Sequence, residues 1–397
     1  VADWINGWGS KNYGRIWKLD DNEGQNWAAR KETQRLITLD YSKMSEEELE
    51  GHLYFEDVRI RRKAQFELAK REEKGAKVFE KVMNQKANQI ARIHAIVGMS
   101  QIARMEDMKF AKPLIPLLKD TDPEIRAQAA KWIGDIKYKD AGEFLLALLV
   151  DEYPRARFFG AEAIGRIGYT PAFPSLVGLL DTNDDEDAYI RHAASLALAR
   201  LNQADELVAL STEPSNAIRL GAVLALRRLS HPGIQQFLKD PNEYIVTEAA
   251  RAINDDFSIE EAMPALGDLL VTTKFSNEPL IRRAISANLR VGTEKSMQNL
   301  IAYISKPGAP LVLRQEAIDA LGTWTKPSVL DRVDGRYRGE VTRDGALVRT
   351  AAAGTLLQML NEKENGLKIS AINAIGRLGI QDGSDELLAL IQNDKSP

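Results

Sequence analysis

The stretch RARFFGAEAIGRIG, residues 155–168, returns in altered form along most of the chain. Its next copy is YIRHAASLALARL, residues 189–201, and both copies place an arginine before an Ala-rich helical pattern. The aligned arginines are Arg59, Arg92, Arg126, Arg157, Arg191, Arg219, Arg282 and Arg314, and Val246 and Lys368 hold the same slot in two further copies. Consecutive copies up to Arg314 lie 27–36 residues apart, which is the period of a repeat architecture.

Each copy predicts a pair of helices. Leu-rich patches end the first helix, as in KPLIPLLKD, FPSLVGLLD and MPALGDLLV, and a turn leads into the arginine helix. In DTDPEIR, Asp122 can cap a helix that Pro123 begins, and Glu124 suits the helix dipole. Ser45 and Glu48 have the spacing of a capping box. The sequence therefore predicts an all-α fold, an α-solenoid of HEAT-type helical hairpin repeats.

Small residues indicate how these helices pack. Gly160, Ala161, Ala163 and Gly165 lie along one arginine helix. A glycine inside a helix costs about 1 kcal/mol relative to alanine. Its repeated use predicts that a neighbouring helix approaches closely at these positions.

Two segments depart from the repeat. Residues 1–20, VADWINGWGSKNYGRIWKLD, are rich in Trp and Gly and include a strand-like GRIWKL, which predicts the end of an all-β domain. Residues 21–44 follow as a polar linker with a short helix, and residues 45–397 form the solenoid. Within it, LDRVDGRYRGEVTRDG at residues 330–345 predicts a small hairpin or irregular loop inserted into the array. The chain opens without Met, which indicates a fragment or a processed chain.

The composition excludes several classes of function. The 397 residues carry 53 Lys and Arg against 57 Asp and Glu, a formal charge of −4, whereas nucleic-acid binders usually have a basic excess. There is no cysteine, so disulfides, thiolate nucleophiles and CxxCH haem attachment are excluded within these residues. The longest apolar run, FLLALLV at residues 144–150, is far shorter than the ~20 residues of a transmembrane helix.

No motif predicts a cofactor or metal site in this segment. The acidic stretch DTNDDEDAY, residues 181–189, lacks the spacing of a helix–loop–helix calcium site, and acids before a helix N-terminus are favourable in themselves. The four histidines, His52, His94, His192 and His231, have no metal-ligand spacing. GWGSKNYG, residues 7–14, is Gly-rich, but its spacing is not that of a nucleotide fingerprint, and it predicts a β-turn.

The ordered set of repeats resembles the HEAT-repeat region of large bacterial membrane-bound dehydrogenase proteins. The likeness rests on EYPRARFFGAEAIGRIG, DAYIRHAASLALARL, EAARAINDDFSIEEAMPAL, LIRRAISANLRVG and LGTWTKPSVLDRVDGRYRG, and on DWINGWGSKNYGRIWKL, which resembles the closing strand of a β-propeller. In that family a glucose/sorbosone-dehydrogenase-like propeller precedes the array and a c-type cytochrome domain commonly follows it. The resemblance implies pyrroloquinoline quinone and haem c in those other domains, and a periplasmic or cell-surface location. A cytoplasmic location stays open.

Three groups of side chains have alternative interpretations. The repeated arginines either grip an anionic partner or, as their recurrence favours, pair with a turn carboxylate or carbonyl of an adjacent repeat. Trp4, Trp8 and Trp17 either pack against the all-β domain or stack on a sugar. The insertion either docks a partner or covers the hydrophobic edge of the array. Its candidate contact residues are Arg332, Arg336, Tyr337 and Arg338.

The sequence thus predicts a non-catalytic scaffold for protein interaction. By resemblance it is part of a larger dehydrogenase-like protein, with the propeller and the cytochrome domain as its intramolecular partners. The alternatives are an independent protein-binding adaptor and, less favoured, a HEAT-like hydrolase or glycosylase that uses acids on one face of the array. Neither nucleic acid nor a transmembrane segment is predicted.

Overall fold

The structure, a computed structural model, describes residues 20–382 without a gap, together with residues 2–3, 15–17, 384, 387–388 and 392. It divides into two compact units, residues 1–163 and 164–397. Both units consist of consecutive helical pairs, so the predicted fold class, an α-solenoid of HEAT-type hairpins, is confirmed. Within the described residues, no helix is long and apolar enough to cross a bilayer.

The first unit opens with two short antiparallel strands and continues as helices. The strands β1 and β2 pair Ala2 with Ile16 and Asp3 with Arg15. The elements are β1 (Ala2–Asp3), β2 (Arg15–Ile16), α1 (Ala28–Thr38), α2 (Glu46–Leu53), α3 (Val58–Lys70), α4 (Glu72–Met83), α5 (Gln89–Met105), α6 (Pro123–Asp135), the single turn α7 (Gly142–Leu145) and α8 (Pro154–Ile167), whose last turn belongs to the second unit.

Within its described residues, the second unit contains six helical pairs, and in one of them the first helix is the 3₁₀ helix Pro232–Lys239, which precedes α13. Its helices are α9 (Phe173–Asn183), α10 (Ala188–Leu201), α11 (Ala204–Ala209), α12 (Asn216–Leu229), α13 (Glu243–Asn254), α14 (Met263–Thr272), α15 (Glu278–Val291), α16 (Glu294–Ile304), α17 (Leu311–Gly322), α18 (Ala346–Met359) and α19 (Asn365–Leu378). The arginine helices of these pairs, called second helices below, are α10, α12, α13, α15, α17 and α19.

Residues 21–44, predicted as a polar linker, contain the helix α1. The Lys63 ammonium of α3 donates to the carbonyls of Ile37, at 2.7 Å, and Leu39, at 3.1 Å, and Leu36 is buried. This segment therefore packs on the first repeat. Whether residues 1–20 end a separate β domain stays a prediction.

The predicted helix starts are confirmed. Ser45 Oγ accepts from the Glu48 amide at 3.2 Å, and Glu48 Oε2 accepts from the Ser45 amide at 2.8 Å, which completes the capping box. Asp122 Oδ1 accepts from the Glu124 amide at 2.9 Å, and Pro123 is the first residue of α6.

The first helix predicted to end in KPLIPLLKD is not an α-helix. This stretch forms two short 3₁₀ helices, Met108–Leu114 and Pro116–Lys119. Pro113 and Pro116 supply no backbone N–H, so a continuous α-helical ladder cannot form there. Leu114, Leu117 and Leu118 are nevertheless buried, because the tighter turns still direct the apolar side chains into the core.

Glycines mark close contacts between helices, as predicted. A Cβ on Gly160 would lie 2.9 Å from Leu148 Cβ in the first unit. A Cβ on Gly165 would lie 2.7 Å from Ala197 Cα in the second unit. In the same unit Gly322 of α17 packs against Ala374 of α19, and a Cβ on Gly322 would lie 2.9 Å from the Ala374 Cα.

Candidate interaction groove

The repeated arginines bind carboxylates that follow the Leu-rich patches. In the first unit, the Arg92 guanidinium donates to Asp120 at 2.5 and 3.2 Å, and Arg126 donates to Asp151 at 2.7 and 2.8 Å. In the second unit, buried Arg219 donates to Asp240 at 2.7 and 3.2 Å. These three pairs link α5, α6 and α12, respectively, to the turn that follows the next Leu-rich stretch.

Each of these aspartates also caps its own turn. Asp120 accepts from the Asp122 amide, Asp151 from the Tyr153 amide and Asp240 from the Asn242 amide, at 2.8–2.9 Å. Burial works to raise the pKa of Asp120, but hydrogen bonds from the Arg92 guanidinium and the Asp122 amide outweigh it and lower that pKa. The Asp120 carboxylate is therefore held in its charged form.

A second contact recurs on the backbone side. Arg126, Arg157 and Arg219 each donate from Nη1 to the carbonyls five and six residues earlier. In α3 this contact is made by Arg61, which donates to the carbonyls of Phe55 and Glu56. The sequence alignment of Arg59 with this position is wrong: Arg59 is exposed and pairs with Asp57, the N-cap of its own helix.

The remaining arginines of the set bind their own chain as well. Arg191 pairs with Asp185. Arg282 pairs with both Glu278 and Glu316, and each of these two ion pairs is 2.8 Å long. Arg314 donates to the Ile304 carbonyl at 2.7 Å and to Glu362 at 2.8 Å. These contacts support the structural interpretation of the arginine repeat.

The acidic stretch before α10 serves the helix start. Asp187 Oδ1 accepts from the amides of Tyr189 at 2.8 Å and Ile190 at 3.3 Å, and Asp185 pairs with Arg191. Among the described residues, no group of three His, Asp or Glu side chains is arranged to hold a metal ion.

Three of the four histidines have structural surroundings. The His94 ring bonds Gln65 Oε1 through Nδ1 at 2.6 Å and accepts from Arg61 Nε through Nε2 at 3.1 Å. Burial, together with the nearby charges of Arg61 and Arg62, lowers the pKa of His94 to about 4. His231 caps a 3₁₀ helix, and His52 lies 5.3 Å from the Tyr41 ring. His192 is exposed on α10 and is considered with the groove below.

The predicted tryptophan cluster lies mostly outside the described residues. Trp4, Trp8 and the GWGSKNYG stretch belong to that part of the chain. The side chain of Trp17 is half-exposed, at 50%.

The insertion forms a short hairpin that packs on the second unit. Leu330 and Tyr337 form an antiparallel bridge, and the Asp331 amide donates to the Arg336 carbonyl at 2.8 Å. Gly335 takes φ +71° at the turn, a conformation that favours glycine.

The candidate contact residues of the insertion are largely bound within the chain. Arg332 donates to Glu316 at 2.7 Å, and Arg336 donates to Asp256 at 3.2 Å. Arg338 donates to the carbonyls of Asn254 and Asp256 at 3.0 and 2.8 Å. Tyr337 is 69% exposed. A role for these four residues in partner binding stays a prediction.

A buried carboxylate anchors the insertion. Asp331 Oδ2 lies 3.2 Å from Ser286 Oγ and 3.5 Å from both Arg290 Nη1 and Arg338 Nε. Arg343 continues this attachment at the end of α15. Its Nη2 donates to the carbonyls of Leu289 and Arg290, at 2.8 and 3.2 Å. These carbonyls lie in the last turn of α15, where no amide of the same helix can donate to them.

Replacing Arg343 by methionine is expected to loosen the insertion. The change keeps most of the side-chain length, but it removes the donors to the α15 carbonyls and to the Trp324 carbonyl at 3.1 Å. Lost bonds of this kind cost about 1–3 kcal/mol. Hydrogen exchange of the amides in residues 326–345 should become faster. Arg377→Met, at an exposed arginine of α19, is the matched control, and equal effects of the two changes would contradict the capping role.

A groove of about 590 Å³ lies on the second helices of three successive pairs. Its walls come from α10, α12, α13 and the turn at residues 255–259. The lining residues are His192, Ser195, Leu196, Leu224, Arg227, Arg228, Ser230, Ala252, Asp255, Asp256, Phe257, Ser258 and Ile259. The groove therefore combines an apolar floor with several charged side chains at its rim. The sequence did not predict it.

Two guanidinium groups hold each carboxylate of the groove. Asp255 lies 2.7 Å from Arg283 and 3.8 Å from Arg251. Asp256 lies 2.8 Å from Arg227 and 3.2 Å from Arg336. The Arg227 hydrogen bond is the main cause that lowers the pKa of Asp256, against a smaller opposing effect of burial.

The turn at residues 255–259 presents an aromatic ring beside the groove. Phe257 is 88% exposed, and its neighbours Asp256 and Ser258 have φ +55° and +58°, an uncommon conformation for non-glycine residues. Ser258 Oγ donates to the Asn254 carbonyl at 2.7 Å, which supports the turn from its own helix.

The insertion supports the same turn from the other side. Asp334 Oδ2 accepts from the Asp256 amide at 3.1 Å, and the Arg338 guanidinium binds the Asp256 carbonyl. The Arg336 guanidinium lies 5.5 Å from the centre of the Phe257 ring. The exposed ring is therefore held in place by residues about eighty positions further along the chain.

Comparison with known proteins supports the fold. A family model described as HEAT repeats matches residues 111–199. The crystal structure of Kap121p bound to Pho4p is similar with a TM-score of 0.50 and 14% identity, over 88% of this chain and 44% of that one. Kap95p, from a structure in which its binding induces the switch loops of RanGDP to adopt the GTP-bound conformation, has a TM-score of 0.48 and 11% identity, over 94% of this chain and 59% of that one.

Importin beta gives a TM-score of 0.47 and 11% identity, over 88% of this chain and 52% of that one. The chain thus spans about half the length of these three solved structures. The comparison with curated proteins gives no match. The likeness to Kap121p, at 14% identity, shows the HEAT-type solenoid fold alone.

Proposed function

We propose that this chain is a protein-interaction scaffold that holds a partner in the groove on α10, α12, α13 and the 255–259 turn. The observation that carries this proposal is the fixed exposure of Phe257 beside that groove. An aromatic side chain that is already ordered loses little conformational entropy when a partner covers it. Aromatic anchors of this kind dominate the energetics of protein interfaces.

The state of the groove carboxylates favours binding over acid catalysis. A general acid at neutral pH needs a raised pKa. The pKa of Asp256 is lowered instead, and Asp255 is held by Arg283 and Arg251. A hydrolase or glycosylase that used Asp256 as its proton donor therefore has less support than a binding role.

The finer proposal places the scaffold in a larger redox protein. In it, the array holds a quinone-dependent propeller and a haem domain at a fixed separation, in the periplasm or at the cell surface. Its support is the sequence resemblance, and an independent adaptor is the alternative. Reading the gene on both sides of this segment, for a propeller and for a CxxCH motif, separates the two.

A photocrosslinker at position 257 tests the scaffold role. Phe257→p-benzoylphenylalanine in the full chain should crosslink one protein species in host cells, identifiable by mass spectrometry, and the purified species should bind the unmodified chain. Leu196→Glu, which puts a charge on the apolar floor, should abolish the product. The control is the same replacement at Phe66, 44% exposed in the first unit. Identical products at both positions, or none at position 257, would contradict the proposal.

A further inference from the structure

We infer that the groove binds a short acidic segment of a partner protein, one that carries an aromatic or aliphatic side chain between its carboxylates. This inference rests on the proposed function and names the chemistry of the occupant. Three features of the described residues support it: an unbalanced cation, an unsatisfied buried hydroxyl and an apolar anchor.

The unbalanced cation is Arg228, in the last turn of α12. It is exposed at the groove, and within the described part of the chain no carboxylate lies within 4 Å of its guanidinium. Asp255 and Asp256 are already bound by arginines, so they do not neutralise it. His192 of α10 lines the same groove and is also exposed. The rim therefore favours incoming carboxylates, which Arg228 can bind through two parallel hydrogen bonds.

The unsatisfied hydroxyl is that of Ser195 in α10. The residue is 4% exposed and lines the groove, and its Oγ has no hydrogen-bond partner among the described residues. Buried polar groups are nearly always hydrogen-bonded, and an unpaired one raises the energy of the unoccupied site. The Oγ is covered in the unoccupied groove, so the Ser195 side chain must rotate about χ1 before a carboxylate or backbone carbonyl of the occupant can accept this hydrogen bond. A purely apolar occupant cannot.

The apolar anchor is formed by Phe257 with Leu196 and Leu224. Ring and leucines together offer a surface for one aromatic or aliphatic side chain. The groove volume of about 590 Å³ lies within the range of sites that hold a few residues, not a folded domain. An occupant that satisfies all three features alternates acidic and apolar groups.

The test uses a fluorescein-labelled peptide in which four glutamates flank a Leu-Phe pair, added to the full chain and followed by fluorescence anisotropy. We expect saturable binding that weakens as NaCl is raised. The same peptide with glutamines, and a glutamate peptide without the Leu-Phe pair, should each bind at least about tenfold more weakly, since each loses one class of contact.

Variants locate the binding on the structure. Arg228→Ala, Phe257→Ala and Ser195→Ala should each reduce the affinity, the first two by about tenfold, and Arg228→Lys should restore part of it. Arg377→Ala is the control for loss of a positive charge, because Arg377 lies in the last turn of α19 as Arg228 lies in the last turn of α12. Tyr189→Ala is the control for loss of an exposed aromatic ring, since Tyr189 is 77% exposed. Both controls should bind as the wild type does.

Several outcomes would overturn the inference. They are equal binding of the glutamine peptide, unchanged affinity of Arg228→Ala, equal binding of an oligonucleotide or of heparin, and no saturable binding of the acidic peptide. Each of these leaves the scaffold proposal standing if the crosslink at position 257 is still specific. Loss of that crosslink would instead remove the scaffold proposal itself.

Discussion

Replacing Asp240 by alanine is expected to lower the free energy of unfolding of the second unit by about 3–5 kcal/mol. The change leaves the Arg219 guanidinium buried without its two carboxylate bonds, of 2.7 and 3.2 Å. It also removes the acceptor of the Asn242 amide at the start of the next helix. Urea denaturation followed by circular dichroism should show an earlier transition. Hydrogen exchange should assign the loss to α12 and α13.

The control for this change is a variant that breaks a solvent-exposed ion pair. Glu73→Ala breaks the exposed pair of Glu73 and Lys77 in α4, and it should leave the transition unchanged within error. A shift by Asp240→Ala no larger than that of the control would show that the arginine–aspartate pairs do not stabilise the repeat.

Replacing Gly165 by valine is expected to destabilise the second unit by about 1–3 kcal/mol. Even a single Cβ there would lie 2.7 Å from Ala197 Cα and 3.0 Å from Ala197 Cβ, so the two helices would have to move apart. The gain in helix propensity on leaving glycine, at most about 1 kcal/mol, is too small to compensate. Thermal unfolding of the full chain measures the effect.

The matched control has the opposite sign. A Cβ on Gly354, in the exposed face of α18, meets no atom within 4 Å. Gly354→Ala should therefore raise the stability by up to about 1 kcal/mol through helix propensity alone. If Gly165→Val and Gly354→Ala shift the unfolding in the same direction, close helix packing does not explain the glycines of the repeat.

Local chemistry made most of the fold predictable. Caps, prolines and the arginine period located the second helices, and the arginine–aspartate pairs follow from their recurrence. One error of position, Arg59 for Arg61, has an instructive cause. In α3 and α6 alike, the arginine that binds the preceding carbonyls lies four residues after the N-cap, Asp57 or Asp122. Counting from the cap would have selected Arg61.

The groove was not predictable in the same way. Its aromatic rim depends on contacts between the 255–259 turn and the insertion, which are separated by 78–82 positions. No periodicity relates these segments, and FSIEE, which begins with Phe257, is an ordinary loop sequence. The charges of Arg332, Arg336 and Arg338 suggested a docking element, whereas only their spatial neighbours show that they are bound internally.

The insertion also has a mechanical consequence for the second unit. In solenoids each repeat contacts only its neighbours, so the array can bend elastically and its repeats can unfold one at a time. Arg338, Asp331 and Arg332 reach residues of α13, α15 and α17, the second helices of three successive pairs. Bending or fraying in this region must break contacts to all three at once. These three pairs should therefore unfold together as one cooperative unit. In an array without such an insertion, the repeats would unfold one after another.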